Sequence, residues 1–223
     1  MPQIKTVLFD LDGTLADTAP DLADALNHVL TINNKPKLEL ETIRRVVSHG
    51  GIALIKLGFD LETTHPEFEP LRQQLLDYYL NNIANKTKLF DGMEALLQQI
   101  EQHDMNWGVV TNKPAWLTDP LMRALQLDTR AVCIVSGDTL KERKPHPAPL
   151  LYASAIAGSA NNECVYIGDA ERDIIAGNKA GMQTIIALFG YIDVNDKPKH
   201  WGADFLITSP DEIGSWLGVN ANQ

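Results

Sequence analysis

Two periods of apolar residues alternate along this chain. Between residue 17 and about residue 87 they recur every three or four positions: Leu22, Ala25, Leu26, Val29 and Leu30, then Leu71, Leu75, Leu76 and Tyr79. That spacing predicts helices with one buried face. Thr18 or Asp17 can cap the first, with Pro20 in its opening turn, and Lys35-Pro36 breaks it. A second helix fits Leu40 to Val47. The pair Gly50-Gly51 follows Ser48-His49, and the helical spacing resumes from Ile52 to Leu57 and from Phe68 to Ile83. No strand is expected in this stretch.

On either side of it, short uncharged runs take over. Val7-Leu8-Phe9, Trp107 to Val110, Val132 to Val135, Cys164 to Ile167, Thr184 to Ala187 and Phe205 to Ile207 read as buried strands. Helical patterns lie between them: one opened by Phe90-Asp91-Gly92-Met93 and running to His103, then Leu121 to Leu127, Pro149 to Ala157 and Asp173 to Ala180. Strands alternating with helices predict an α/β fold, a doubly wound parallel sheet that binds ligands at the strand C-terminal ends. The expected division is residues 1–16 and 88–223 for this α/β unit, with an all-helical cap, 17–87, inserted after the first strand. Asn220 to Gln223 reads as a frayed tail.

Polar residues punctuate the strand ends. Val7-Leu8-Phe9 runs into Asp10 and Asp12, whose side chains leave the same face of an extended chain. Gly13 then lets the backbone turn and a ligand come close. Two carboxylates at the end of a buried strand are costly unless a cation meets them. Mg²⁺, which takes oxygen ligands and keeps several waters, suits them, although a plain Asp-Gly turn has the same local look. Thr111-Asn112 offers a hydroxyl and an amide to phosphate oxygens, or ordinary turn chemistry. Lys144, in Lys144-Pro145-His146-Pro147, is a candidate cation for phosphate and nucleophile, or one of a solvated group with Lys141 and Arg143. Beyond Val165-Tyr166-Ile167-Gly168, Asp169 can bind a metal directly. Asp173, in the first turn of a helix, can take a metal-bound water, hold Lys144, or merely favour the helix N-terminus.

Taken in this order, Asp10-Leu11-Asp12-Gly13-Thr14, Thr111-Asn112, Lys144 and Gly168-Asp169 with Asp173 resemble the four motifs of the haloacid dehalogenase-like hydrolases, in the form their phosphatases carry. The insertion after the first strand resembles the helical cap of the phosphoglycolate phosphatase-like subgroup. The resemblance implies hydrolysis of a small phosphorylated metabolite with Mg²⁺. Asp10 would be the nucleophile that forms an aspartyl-phosphate, and Asp12 the general acid and base. Mg²⁺ would sit on the Asp10 carboxylate, the Asp12 carbonyl and Asp169, with Asp173 behind it, while Thr111, Asn112 and Lys144 hold the phosphoryl oxygens.

Gly190-Tyr191-Ile192 and the run Lys197 to Asp204, with Leu89 to Met93 and Trp107 to Pro114, are similar to members acting on N-acetylmuramic acid 6-phosphate; His200-Trp201 also reads as simple packing. Phosphoglycolate phosphatases are the neighbouring alternative, and a sugar phosphomutase would keep Asp12 as well. A non-catalytic scaffold would have to retain all four motifs without using them. Within the cap, Ser48, His49, Gly50 and Gly51, with Arg45, are expected to face the aspartates and read the leaving group; a plain helix break is the other reading.

Composition narrows the partners. The 223 residues are 44% hydrophobic and 22% charged, as in globular proteins generally. A net charge of -10 argues against nucleic acid but leaves room for an anionic substrate at a locally basic site. No apolar run has the length of a membrane span, and Ile4 to Phe9 is too short for a signal peptide. The expectation is a cytoplasmic monomer or dimer, without membrane partner. Cys133 and Cys164 sit in apolar runs and are expected to be buried, reduced and inert. The resemblance places their strands on opposite sides of the Asp10 strand.

Overall fold

The computed structural model describes residues 3–219, so the Asn220 to Gln223 tail lies outside the described residues. The chain opens with β1 (Thr6–Phe9) and a two-residue strand β2 (Ala16–Asp17). Four helices follow: α1 (Ala19–Ile32), α2 (Leu40–Arg44), α3 (Gly50–Phe59) and α4 (Phe68–Asn81). The return is β3 (Lys88–Leu89), α5 (Met93–Gln102), β4 (Asn106–Val110), α6 (Ala115–Ala124) and β5 (Ile134–Val135). The last third holds α7 (Ala148–Ile156), β6 (Cys164–Gly168), α8 (Glu171–Ala180), β7 (Gln183–Ala187), β8 (Phe205–Ile207) and α9 (Pro210–Leu217).

Six strands form one parallel sheet in the order β5-β4-β1-β6-β7-β8. From β1 the chain moves outward through β4 and β5 on one side, then returns to build β6, β7 and β8 on the other. β1 is therefore the topological switch point, where sheets of this kind open a crevice. Phe9 pairs with Val109 on one side and Ile167 on the other, so Asp10 lies between the ends of β4 and β6. The side chains of β1 alternate between two clusters: Val7 and Phe9 join one, Leu8 the other. Helices α7 and α8 pack together over one face, α5 and α9 over the other. Cys133 and Cys164 are free, buried, and separated by β4 and β1 as expected.

Helices α1 to α4 pack on one another, and their apolar faces join the same buried cluster as Val7, Phe9 and Trp107. The inserted helices thus share a core with the sheet. Their two connections are tied down. β2 and β3 pair antiparallel, Ala16 with Leu89 and Asp17 with Lys88. The buried Asp21 carboxylate accepts the Lys86 and Thr87 amides and the Thr87 hydroxyl, at 2.7–3.1 Å.

Several elements differ from the sequence expectation. The β2–β3 ribbon was not expected, because two residues are too few to show alternation. The second inserted helix ends at Arg44 and gives way to a 3₁₀ turn over Val47–His49. Gly50 reverses the chain at φ +71° and then opens α3, so the glycine pair starts a helix as well as breaking one. Helix α6 begins at Ala115 rather than Leu121 and runs through Pro120; its first amide is held by Asp138 Oδ1 at 2.8 Å. Helix α9 was missed altogether.

Candidate active site

The site forms where β4, β1 and β6 end side by side. Asp10 leaves β1 with its carboxylate almost wholly buried, and Oδ1 accepts the Leu11 amide at 2.7 Å. Asp169 leaves β6 beside it. Its Oδ2 accepts the Tyr191 amide at 2.8 Å, and its Oδ1 accepts the Thr14 hydroxyl at 3.3 Å. Asp173, one turn into α8, accepts the Ala170 amide at 3.0 Å. Asp10, Asp169 and Asp173 each offer an oxygen within 4.8 Å of the others'.

Three buried carboxylates this close strain against their charge. Burial raises Asp10 above its ordinary range despite the opposing pull of Lys144, and it lifts Asp169 to about 7, with Asp10 and Asp173 adding to the rise. The donor set is all oxygen, the preference of hard divalent cations. Such an ion fits on physical grounds: its charge would relieve the repulsion among three carboxylates that have one ammonium, Lys144, between them.

Lys144 reaches this cluster from the loop after β5. Its ammonium is completely buried and lies within 3.0 Å of four oxygens: Val110 O, Tyr166 Oη, Asp10 Oδ1 and Asp173 Oδ1. An ammonium has three protons, so the protein's own acceptors take them all. Asn112 exchanges two hydrogen bonds with the Lys144 backbone, at 2.9 and 3.1 Å, and so fixes where this lysine starts. Thr111 Oγ1 accepts the Lys113 amide at 3.1 Å. Thr111 and Asn112 both remain on the wall of the site cavity.

Asp12 faces the same cavity from the other side of the β1 turn. Its Oδ1 accepts from Thr18 Oγ1 and from Lys113 Nζ, each at 2.6 Å. Lys113 also lies 4.8 Å from the Tyr79 ring centroid on α4, a cation–π approach. Burial alone would lower the proton affinity of Lys113, but Asp12 and Tyr79 outweigh it and hold the ammonium charged.

Gly13 is required by this crowding. At φ +85°, a Cβ there would lie 2.1 Å from Asp169 Oδ2.

The inserted helices close the cavity, whose volume is about 700 Å³. Ser48, His49, Gly50 and Gly51 all line it opposite Asp10 and Asp12. Ser48 Oγ comes within 3.5 Å of Asp169 Oδ2. Arg45 is not on the wall; it is exposed and, with His49, lies near Asp193. His200 is exposed and Trp201 half-buried, and neither lines the cavity.

Residues to which the sequence reading gave no role in the site complete the framework. Tyr191 donates its hydroxyl to Asp17 at 2.7 Å and accepts the Ala19 amide at 2.8 Å. Arg44 grips Asp17 with two bonds, at 2.8 and 2.9 Å. Arg44, Asp17, Tyr191 and Asp169 thereby form one chain of contacts from helix α2 to the carboxylate cluster. Lys113 and Arg172 stood inside stretches already noted. Tyr166, in mid-strand, and Arg44, on a short helix, carried no local signal.

Comparison with known proteins agrees with this geometry. The family model described as haloacid dehalogenase-like hydrolase matches residues 7–187. A protein of Xanthomonas campestris pv. campestris (strain 8004) named phosphoglycolate phosphatase is 42% identical over 209 residues, 94% of each chain. A Pseudomonas aeruginosa protein named N-acetylmuramic acid 6-phosphate phosphatase is 40% identical over 211 residues, 95% of this chain and 93% of its own. The crystal structure of a predicted phosphoglycolate phosphatase from Haemophilus somnus 129PT superposes with a TM-score of 0.85 at 29% identity, covering 97% of this chain and 99% of that one.

Proposed function

From the family to which this chain belongs, the haloacid dehalogenase-like hydrolases, and from its kinship with that family's phosphatases, we propose that it hydrolyses N-acetylmuramic acid 6-phosphate, with Mg²⁺, as a cytoplasmic enzyme of cell-wall recycling. The observation that carries the choice of substrate is the cavity. About 700 Å³ lies between catalytic carboxylates and inserted helices, a volume in the range that encloses drug-sized ligands. Phosphoglycolate, with two carbons and a phosphate, would leave most of it to water. An acylated amino sugar phosphate would meet both walls. The second reading, 2-phosphoglycolate, rests on the name of the Xanthomonas relative.

In this reading Asp10 attacks phosphorus in line and becomes an aspartyl-phosphate. Mg²⁺ held by Asp10, Asp169 and the Asp12 carbonyl, with Asp173 behind, would offset negative charge on the phosphoryl group. Lys144 draws Asp10 toward its ionised form against burial and aims it, since its own contacts leave it no freedom to move. Thr111 and Asn112 present the end of β4 to the phosphoryl oxygens. Asp12 has given Oδ1 to Thr18 and Lys113, so Oδ2 is the oxygen left to carry a proton. It delivers that proton to the leaving alkoxide, then recovers one from the water that breaks the aspartyl-phosphate. Ser48 and His49, with the start of α3, contact the sugar.

Steady-state kinetics on purified protein test the proposal. A site that hydrogen-bonds several substrate groups rejects analogues lacking them, so kcat/KM for the sugar phosphate should exceed that for 2-phosphoglycolate and 4-nitrophenyl phosphate by about two decades or more. A preference for 2-phosphoglycolate would transfer the assignment to the second reading.

A further inference from the structure

The cations around the cavity are not equivalent. Lys113 is bound to Asp12, Arg72 to Glu69, Lys144 is enclosed by four protein oxygens, and Arg143 is exposed to solvent, where water serves its donors. Arg172 is different. It stands in the first turn of α8, three residues beyond Asp169, and its side chain lines the same cavity as Asp10 and Lys144. Its Nε is buried and has no hydrogen-bond partner among the described residues, and its guanidinium makes no ion pair with any of them. Asp173, Asp10 and Asp169 nevertheless lie near enough to keep it charged against its burial.

A buried N–H without an acceptor is expensive, more so on a charged group. At this position the cost has a purpose. A phosphoryl group on its way to Asp10 brings two negative charges to a place where Lys144 has no proton to give. Arg172 has a planar fork of donors suited to paired phosphate oxygens. We propose that Arg172 is a catalytic residue that binds the phosphoryl oxygens directly, supplying the donors that Lys144 cannot. This rests on the phosphatase reading of the site. Phosphate is the feature common to all the candidate substrates, so the contact is independent of which leaving group the inserted helices select.

Two measurements test it. In the wild-type protein, inorganic phosphate should protect Arg172 from modification by phenylglyoxal, followed by peptide mass mapping. This needs neither turnover nor a variant. Arg172→Met should raise KM for 4-nitrophenyl phosphate and Ki for inorganic phosphate together, each by about ten-fold or more, the loss expected for a charge-assisted hydrogen bond. Arg172→Lys, which keeps the charge but not the fork, should fall between. The concentration of Mg²⁺ for half-activation should not rise in either variant.

Absence of protection overturns the assignment. So does an unchanged Ki accompanied by a lower Mg²⁺ requirement, because Arg172 would then only offset the carboxylates. A loss confined to substrates bearing a carboxylate also overturns it, placing Arg172 on the leaving group. Wild-type protein that releases no phosphate from any ester would sink the phosphatase reading alone, and the protection measurement would still decide Arg172.

Discussion

The two walls of the cavity are built to different standards. On the sheet side, Asp10, Lys144, Asp169 and Asp173 are at most 3% exposed, and each is fixed by several short contacts from different strand ends. On the helical side, Ser48 and His49 sit on a short 3₁₀ turn, and Ser48 reaches Asp169 only through a long contact of 3.5 Å. Phosphoryl transfer demands preorganised charge, which only a buried, over-determined wall supplies. Choosing a leaving group demands shape and a few polar contacts, which a helical insertion can vary without disturbing the chemistry. The link between the walls, Arg44 to Asp17 to Tyr191, consists of short hydrogen bonds around the two-strand ribbon.

The sharpest way to break the comparison is to remove charge from the sheet side. Asp10→Asn keeps shape and deletes the nucleophile, so kcat should fall by about four orders of magnitude or more, the scale seen when an attacking group is removed. Because burial already disfavours the charge on Asp10, thermal unfolding should stay within about 4 °C of wild type. Residual turnover near the wild-type rate would dismiss Asp10 as nucleophile.

Removing the cation should also abolish activity, and here pH gives a second readout. The carboxyl of Asp169 is lifted from 3.8 to about 7 by burial and by Asp10 and Asp173. The folded, cation-free chain therefore holds this proton more tightly than the unfolded chain. Its stabilising effect is complete below about pH 3.8 and is lost as pH rises through about 7. Chelated protein should melt at lower temperature at about pH 8 than at about pH 6, and added Mg²⁺ should raise the melting temperature more at the higher pH. A Mg²⁺ response that ignores pH would count against Asp169 as a ligand.

The same contrast explains what was legible in the sequence. Strand ends declare themselves, because a short uncharged run that stops at Asp10, Thr111 or Asp169 places its last polar residue at a known edge of a parallel sheet. The three carboxylates and Lys144 could therefore be anticipated, as could the helical insertion. Apart from Asp173 on Lys144, the partners that hold them could not. Tyr166 looks like any strand tyrosine until its hydroxyl is found on Lys144. Tyr191 acts on Asp169 through its backbone amide, to which side-chain identity contributes nothing. Arg45 and Arg44 are equivalent neighbours on paper, yet the helix turns Arg44 to Asp17 and leaves Arg45 outside. Rotation of a short helix is decided by tertiary packing, which local periodicity over five residues does not reveal.

Gly13 lies in the turn behind the sheet-side wall, and an added methyl there sharpens the point. Asp169 Oδ2 and Tyr191 Cδ2 would lie 2.1 and 2.8 Å from it. Neither can retreat, because Asp169 is held by the Tyr191 amide and Tyr191 by Asp17 and Ala19. Strain at positive φ and overpacking together should destabilise Gly13→Ala by about 2–4 kcal/mol. Chemical denaturation should show the loss, together with weaker Mg²⁺ activation. A neutral substitution would mean that this wall is softer than its contacts suggest.

The smallest effects belong to the helical side, where two side chains four residues apart, His49 and Arg45, should part company. His49 lines the cavity, so His49→Ala should lower kcat/KM for N-acetylmuramic acid 6-phosphate by about ten-fold while sparing 4-nitrophenyl phosphate, which has no sugar to bind. Arg45 is exposed and off the wall. Asp193, its charged neighbour, is held below the usual carboxylate range chiefly by the Asn195 amide, with Arg45 a lesser influence. Exposed charge pairs of this kind contribute little, so Arg45→Ala should leave kcat/KM within about two-fold on every substrate. Equal losses in both variants, on the sugar phosphate alone, would show that the insertion rotates to bring Arg45 inward during binding. Equal losses on all substrates would instead make both residues supports of the fold, and would leave the sheet side to select as well as to react.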